Sequence, residues 1–113
     1  MNKYRTHLCS QLSLNNLGEK VVLSGWIDTI RDHGNLIFID LRDNYGLTQC
    51  VVDGKHHLFS QISKYTNESV ITISGIVIKR SSETINKSIQ TGEIEIKIDE
   101  CELLSKANVL PLP

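Results

Sequence analysis

The chain reads as an all-β protein: a five-stranded Greek-key barrel with one helix between the third and fourth strands and a short N-terminal lead-in. Three observations predict this. Residues 34–43, GNLIFIDLRD, alternate with the two-residue period of a strand, as do LTQCVVD and EIEIKID. Five such segments occur, separated by turn-forming residues. Only one stretch after residue 20, residues 58–65, changes to a helical period.

The first strand is VVLSGWIDTIR, residues 21–31, rich in β-branched residues; its internal Gly25 predicts a bulge or sharp bend of the kind that closes barrels. Asp32-His33-Gly34-Asn35 then turns the chain into NLIFIDLR. Ile37, Ile39 and Leu41 face the core, and Leu36, Phe38, Asp40 and Arg42 face the other way. Asp43-Asn44-Tyr45-Gly46 leads into the third strand, so the first three strands form an antiparallel meander.

After Asp53-Gly54, Leu58, Ile62 and Tyr65, with Phe59 beside them, mark one face of a helix of about three turns. VITISGIVIKR, residues 70–80, resumes strand character around Gly75. SSETINKSIQTG is a polar hairpin loop, and the fifth strand places Ile94, Ile96 and Ile98 inward with Glu93, Glu95, Lys97 and Asp99 outward. This order is that of an OB-fold. An SH3-like barrel is the structural rival, but it has no helix of that length at that place.

Residues 1–20 are a helical or irregular lead-in, residues 21–104 the barrel, and residues 105–113, with prolines at 111 and 113, the start of a linker to something longer. At 113 residues the chain is sized for one core without disulfide staples. The 40% apolar and 22% charged content is that of a soluble domain, with no signal peptide and no run long enough to span a membrane, so the cytoplasm is expected. Cys9, Cys50 and Cys101 are odd in number and widely spaced, which predicts plain thiols. A net charge of −1 means that any nucleic-acid binding must come from a local surface.

Such a surface is present on the outer face of strands two and three, which OB-folds use to stack unpaired bases. Pairing Arg42 with Leu47 across the short turn puts Asp40 opposite Gln49 and Phe38 opposite Val51. The same exercise across His33-Gly34 puts Thr29 opposite Phe38 and Arg31 opposite Leu36. Phe38 offers a ring for a base's π-face, Gln49 an amide for its edge, and Arg31 a guanidinium for phosphate. A base stacked on Phe38 would contribute roughly 1–3 kcal/mol. Alternatively, Phe38 packs under the adjoining loop and Arg31 is a solvated charge.

SGWI followed by RDHGNLIFIDLRDNYGLTQCVVD, then TGEIEI and LLSKANVLPLP, closely resembles the amino-terminal domain of bacterial-type aspartyl-tRNA synthetases over nearly the whole chain. Lysyl- and asparaginyl-tRNA synthetases carry related domains with different wording in the second strand. The resemblance implies binding of the anticodon loop of aspartate tRNA, with ATP- and Mg2+-dependent aspartylation in a separate catalytic domain and a homodimeric full-length enzyme. It also implies that Phe38 stacks the middle anticodon base, Gln49 reads a base edge, Arg31 contacts base or phosphate, and Glu95 reads another base. A carboxylate only accepts, so it suits guanine N1/N2 or cytosine N4.

His33 occupies a turn position that varies among relatives and could influence whether asparagine tRNA is also accepted. Lys79, Arg80, Asn86 and Lys87 complete a possible RNA-binding rim. Thr29, Ile30, Ile78 and Thr84 stand where relatives often carry basic or amide residues. Weak, strongly salt-sensitive binding by these residues alone is the consequence.

No phosphate loop, nucleophile elbow or paired-carboxylate arrangement is present, so the 113 residues should be catalytically inert alone, without a cofactor. Trp26 reads as packing. His56-His57 with Cys50 lack a fourth ligand, and no metal is expected. The reading from another class is a free-standing OB-fold module that binds single-stranded nucleic acid without sequence preference, or one that binds protein.

Overall fold

The alternating segments pair as their periodicity requires. In a computed structural model, which describes residues 6–82, 84–89 and 91–105, β1 (Lys20–Asp32), β2 (Leu36–Arg42), β3 (Leu47–Asp53), β4 (Val70–Lys79) and β5 (Ile94–Ser105) form a closed barrel in the order β1-β2-β3-β5-β4. The meander β1-β2-β3 is antiparallel, β5 closes the barrel in parallel with β3, and β4 joins β5 to β1. The closing β3-β5 contact is short, Cys50 with Ile96 and Val51 with Lys97.

The inward parity holds on β2 and β5. Ile37, Ile39 and Leu41 are fully buried, as are Ile94 and Ile96, with Ile98 at 1% exposure. Each such side chain contributes about 1.5–3 kcal/mol of burial. The lead-in adds to this core: Cys9 and Leu12 are fully buried members of the same apolar cluster. Cys9 N–H donates to Asp43 Oδ2 at 2.8 Å, and Thr48 Oγ1 donates to the Cys9 carbonyl at 2.7 Å. A short 3-10 turn, Leu14–Asn16, follows, capped by Ser13. None of the three cysteines is in a disulfide, and burial pushes the Cys101 thiol up to about 11. Of the expected linker, residues 105–113, Ser105 is the last residue of β5, and residues 106–113 lie outside the described residues.

Three expectations need correction. The helix is one turn, α1 (Phe59–Ile62), rather than three. Its apolar face does pack, with Ile62 fully buried and Leu58, Phe59 and Tyr65 partly buried against the core. Past Ile62 the chain tightens into i→i−3 bonds, Lys64 N–H to Gln61 and Tyr65 N–H to Ile62, and the Ser63 hydroxyl donates to the Ser60 carbonyl at 2.6 Å. Ser63, Thr66 and Asn67 are weak helix formers that offer the backbone these local alternatives.

The bulge in β1 falls between Ile27 and Thr29, not at Gly25. Gly25 instead permits close approach, since a Cβ there would sit 2.3 Å from the Arg42 carbonyl oxygen. Gly75 does the same against Lys97, with a Cβ at 2.2 Å, and it adjoins a register shift between β4 and β5.

The third correction concerns the β1-β2 register. Arg31 lies opposite Phe38, and Thr29 opposite Asp40. The turn is Gly34-Asn35 rather than His33-Gly34, because Gly34 takes φ +83° while His33 N–H bonds the Leu36 carbonyl at 2.8 Å. The Asp32 side chain accepts from Gly34 N–H at 2.8 Å and holds that turn. The shift is two residues, so every side chain keeps its face and only the partners change.

Candidate nucleic-acid interface

The β2-β3 register is as predicted, with Asp40 opposite Gln49 and Phe38 opposite Val51. Together with the corrected β1 register and the parallel β3-β5 pairing, it brings Arg31, Phe38, Gln49 and Glu95 onto one outer face. They are joined there by Asp40, Thr29 and Arg80.

A chain of hydrogen bonds crosses this face. Thr29 Oγ1 and Arg31 Nη1 both donate to Asp40 Oδ2 at 2.6 Å. Arg31 Nη2 donates to Gln49 Oε1 at 2.9 Å, and Gln49 Nε2 donates to Glu95 Oε1 at 2.7 Å. Arg80 Nη1 approaches the same Gln49 oxygen at 3.4 Å. With guanidinium groups on one side of the amide and a carboxylate on the other, only one orientation of Gln49 is chemically consistent. The amide is thus aimed before any ligand arrives.

Phe38 lies on the outer face but is not an open platform, being 7% exposed and outside the core cluster. The His33 ring meets it edge-on at 5.2 Å between centroids, and the Arg31 guanidinium carbon lies 5.8 Å from its centroid. The ring also borders a hollow of about 300 Å³ lined with Leu36, Val51, Ile78, His56, Glu95 and Lys97 among others. Beyond Gln49 is a second hollow of about 290 Å³, bordered by Arg31, Asp40, Arg80, Thr84 and Asn86. Phe38 and Gln49 therefore separate two recesses, each large enough for a nucleobase.

The rim departs from expectation at Arg80. It is 6% exposed and lies within the face rather than around it. Its Nε donates to the Ile94 carbonyl at 2.8 Å and its Nη1 to the Thr84 carbonyl at 2.9 Å, while Nη2 is buried with no hydrogen-bond partner among the described residues. Burial lowers its pKa, opposed by the charges of Asp40 and Glu95. His33, Lys79, Asn86 and Lys87 are exposed. Asn86 borders the second hollow, whereas Lys79 and Lys87 border neither of the two. Ile78, where relatives often carry a basic residue, contributes an apolar wall to the first hollow.

Glu95 is 8% exposed, and burial raises its pKa, with the Gln49 hydrogen bond and the Arg80 charge pulling the other way. Among the described residues of the face, two cations, Arg31 and Arg80, are balanced by two carboxylates, Asp40 and Glu95. The face can discriminate by hydrogen bonds but carries little net attraction for a polyanion. Sequence reasoning missed Asp40 and Thr29 as members of the network, because the two-residue slip in the β1-β2 register hid their pairing. Among the described residues no group of three or more His, Cys, Asp or Glu converges as a metal site, and His56 is engaged in accepting from Leu58 N–H at 3.0 Å.

The chain resembles known proteins along its whole length. The tRNA anti-codon family model, described as an OB-fold nucleic acid binding domain, matches residues 21–104. The aspartate–tRNA(Asp/Asn) ligase of Pelagibacter ubique (strain HTCC1062) is 56% identical over 113 residues, which is 100% of this chain and 19% of that protein. The ligase of the same name from Paramagnetospirillum magneticum is 52% identical over 112 residues, 99% of this chain and 13% of that protein. The chain thus spans about a fifth or less of the curated relatives it matches.

Among solved structures, asparaginyl-tRNA synthetase from Pyrococcus horikoshii, complexed with asparaginyl-adenylate, superposes with a TM-score of 0.76 at 26% identity, covering 95% of this chain and 24% of that one. OBody AM2EP06, bound to hen egg-white lysozyme, superposes with a TM-score of 0.79 at 26% identity, covering 91% of this chain and 95% of that one. Barrel topology, outer-face network and family match converge: the chain belongs to the tRNA anti-codon family of OB-fold nucleic acid binding domains.

Proposed function

We propose that this chain is the anticodon-reading part of an aspartate–tRNA ligase, with residues 21–104 as the reading domain, residues 1–20 as its lead-in and residues 105–113 opening a linker. The observation that carries the reading is the aimed Gln49 amide, held between Arg31 and Glu95 beside the Phe38 ring. In this reading the middle anticodon base displaces Arg31 and His33 from the Phe38 face and stacks there, with Gln49 at its edge. Glu95 accepts from a donor-bearing base in the first hollow, and Arg31 donates to the base or phosphate in the second.

The ligase as a whole would be a cytoplasmic homodimer using ATP and Mg2+ in its catalytic part, which these residues do not supply. Asparagine tRNA is included as a second substrate, as the relatives' names state for them. Its anticodon shares the first two bases with that of aspartate tRNA. The balanced charge of the face supports weak binding by this part alone. Protein binding, the second reading, is favoured by the lysozyme-bound OBody, but that likeness is 26% identical against 56% for the ligase.

The test is a titration of the chain at low salt with two anticodon stem-loops, one bearing GUC and one with its middle base changed, followed by amide shifts in NMR. Shifts selective for GUC around Phe38, Gln49 and Glu95 support the reading. Equal shifts for both RNAs would make it a non-specific binder, and shifts elsewhere on the barrel would remove the residue assignments.

A further inference from the structure

The recess beside Arg31 and Asn86 does not end the groove. Leu47 and Ile89, which border it, also border a third hollow of about 250 Å³ that includes Ser10, Arg42, Tyr45 and Thr91. Tyr45 is 62% exposed at the tip of the β2-β3 turn. Its backbone is nonetheless pinned, since Asp43 Oδ1 accepts from Tyr45 N–H at 2.8 Å and from Gly46 N–H at 3.0 Å. The other Asp43 oxygen is held by Cys9 of the lead-in at 2.8 Å. Arg42 meets Asp28 through Nε, at 3.1 Å, and its two terminal nitrogens meet no acceptor among the described residues. An exposed ring on a pinned turn, beside a half-spent guanidinium, continues the chemistry of the groove.

We propose that this hollow is a fourth nucleotide subsite, in which Tyr45 stacks the base immediately 3′ of the anticodon and Arg42 takes its phosphate. The proposal rests on the anticodon reading above. Strand direction follows from chemistry: a carboxylate best matches the adjacent N1 and N2 donors of guanine, so the first base of GUC belongs at Glu95. The middle base is then at Phe38, the third in the recess by Arg31, and the next nucleotide passes over Leu47 and Ile89 to Tyr45. Stacking on a tyrosine tolerates any base but favours a purine for its larger π-face.

The experiment places 2-aminopurine immediately 3′ of GUC in an anticodon stem-loop and measures its fluorescence with the wild-type chain, Tyr45→Ala and Tyr45→Phe. Quenching on binding is expected for wild type and Tyr45→Phe and is lost in Tyr45→Ala, with affinity down on the order of tenfold, the size of one base-on-ring stack. Removing that base should weaken wild type by a similar factor, and Tyr45→Ala should then add nothing. Quenching and affinity unchanged in Tyr45→Ala would overturn the subsite. So would coupling of Tyr45 to the nucleotide 5′ of the anticodon, which requires the opposite strand direction. If wild type still prefers GUC to the middle-base variant while Tyr45→Ala is neutral, the fourth subsite alone fails. If wild type shows no preference, the anticodon reading fails and takes this inference with it.

Discussion

Gln49 and Glu95 meet across the parallel pairing of β3 and β5, amide nitrogen to carboxylate oxygen at 2.7 Å, with both residues almost fully buried on the outer face of the barrel. Because the same amide accepts from Arg31, the strand that closes the barrel also sets the recognition geometry of the meander. Burial holds the Glu95 carboxyl above the ordinary carboxylate range. Between its ordinary and raised values the folded chain binds more protons than the unfolded chain, so stability falls as pH rises through that window. Glu95→Gln keeps an acceptor for Gln49 and removes the charge. We expect denaturant titrations across pH to lose this slope, with stability at neutral pH equal to or above wild type. Selectivity for GUC over a stem-loop with its first base changed should fall on the order of tenfold, as for loss of a hydrogen bond to a charged group.

Arg31 is held by Asp40 as well as by Gln49, and the ion pair is partly solvated, its side chains 40% and 16% exposed. Asp40→Ala should therefore cost about 1 kcal/mol or less in stability. It frees Arg31 from its anchor and adds one unit of positive charge. Total RNA affinity should rise at low salt and fall more steeply with salt, while discrimination between GUC and its middle-base variant declines severalfold. Parallel salt titrations with the two stem-loops check this; unchanged discrimination would make Asp40 a spectator.

Arg80 and the exposed lysines should separate cleanly. Arg80→Lys cannot reproduce the bonds to the Ile94 and Thr84 carbonyls, so a loss of about 1–3 kcal/mol in unfolding free energy is expected. The logarithmic salt slope of binding should remain. If Lys79 and Lys87 meet phosphates, Lys79→Ala or Lys87→Ala should leave stability unchanged and reduce the slope by about 1 each.

Phe38→Leu keeps an apolar cover over the first hollow and removes the aromatic face. Binding should weaken by the roughly 1–3 kcal/mol of a base stack, equally for RNAs that share the middle base. Phe38→Ala should add a stability loss, because the ring is 7% exposed. Thermal unfolding alongside RNA titration separates the two effects. Leucine binding RNA as well as phenylalanine would mean that the ring only packs.

The sequence by itself determined which residues face inward, because the two-residue period of Ile37, Ile39 and Leu41, and of Ile94, Ile96 and Ile98, is written locally along each strand. It also determined the β2-β3 register, since the Asp43–Gly46 turn leaves little freedom in how Arg42 meets Leu47. Tertiary structure decided the rest. Whether the β1-β2 turn begins at His33 or Gly34 depends on a positive φ and an Asp32 hydrogen bond, and that choice moved Arg31 from Leu36 to Phe38. The helix shortened to one turn because packing of Ile62 needs only that, and local polar bonds took the remainder. Arg80 became an internal strut by bonding the Ile94 carbonyl of the next strand, and Phe38 a covered ring because the β1-β2 register brings Arg31 and His33 against it: residue type and parity name a face, but only the pairing of the strands determines what covers it.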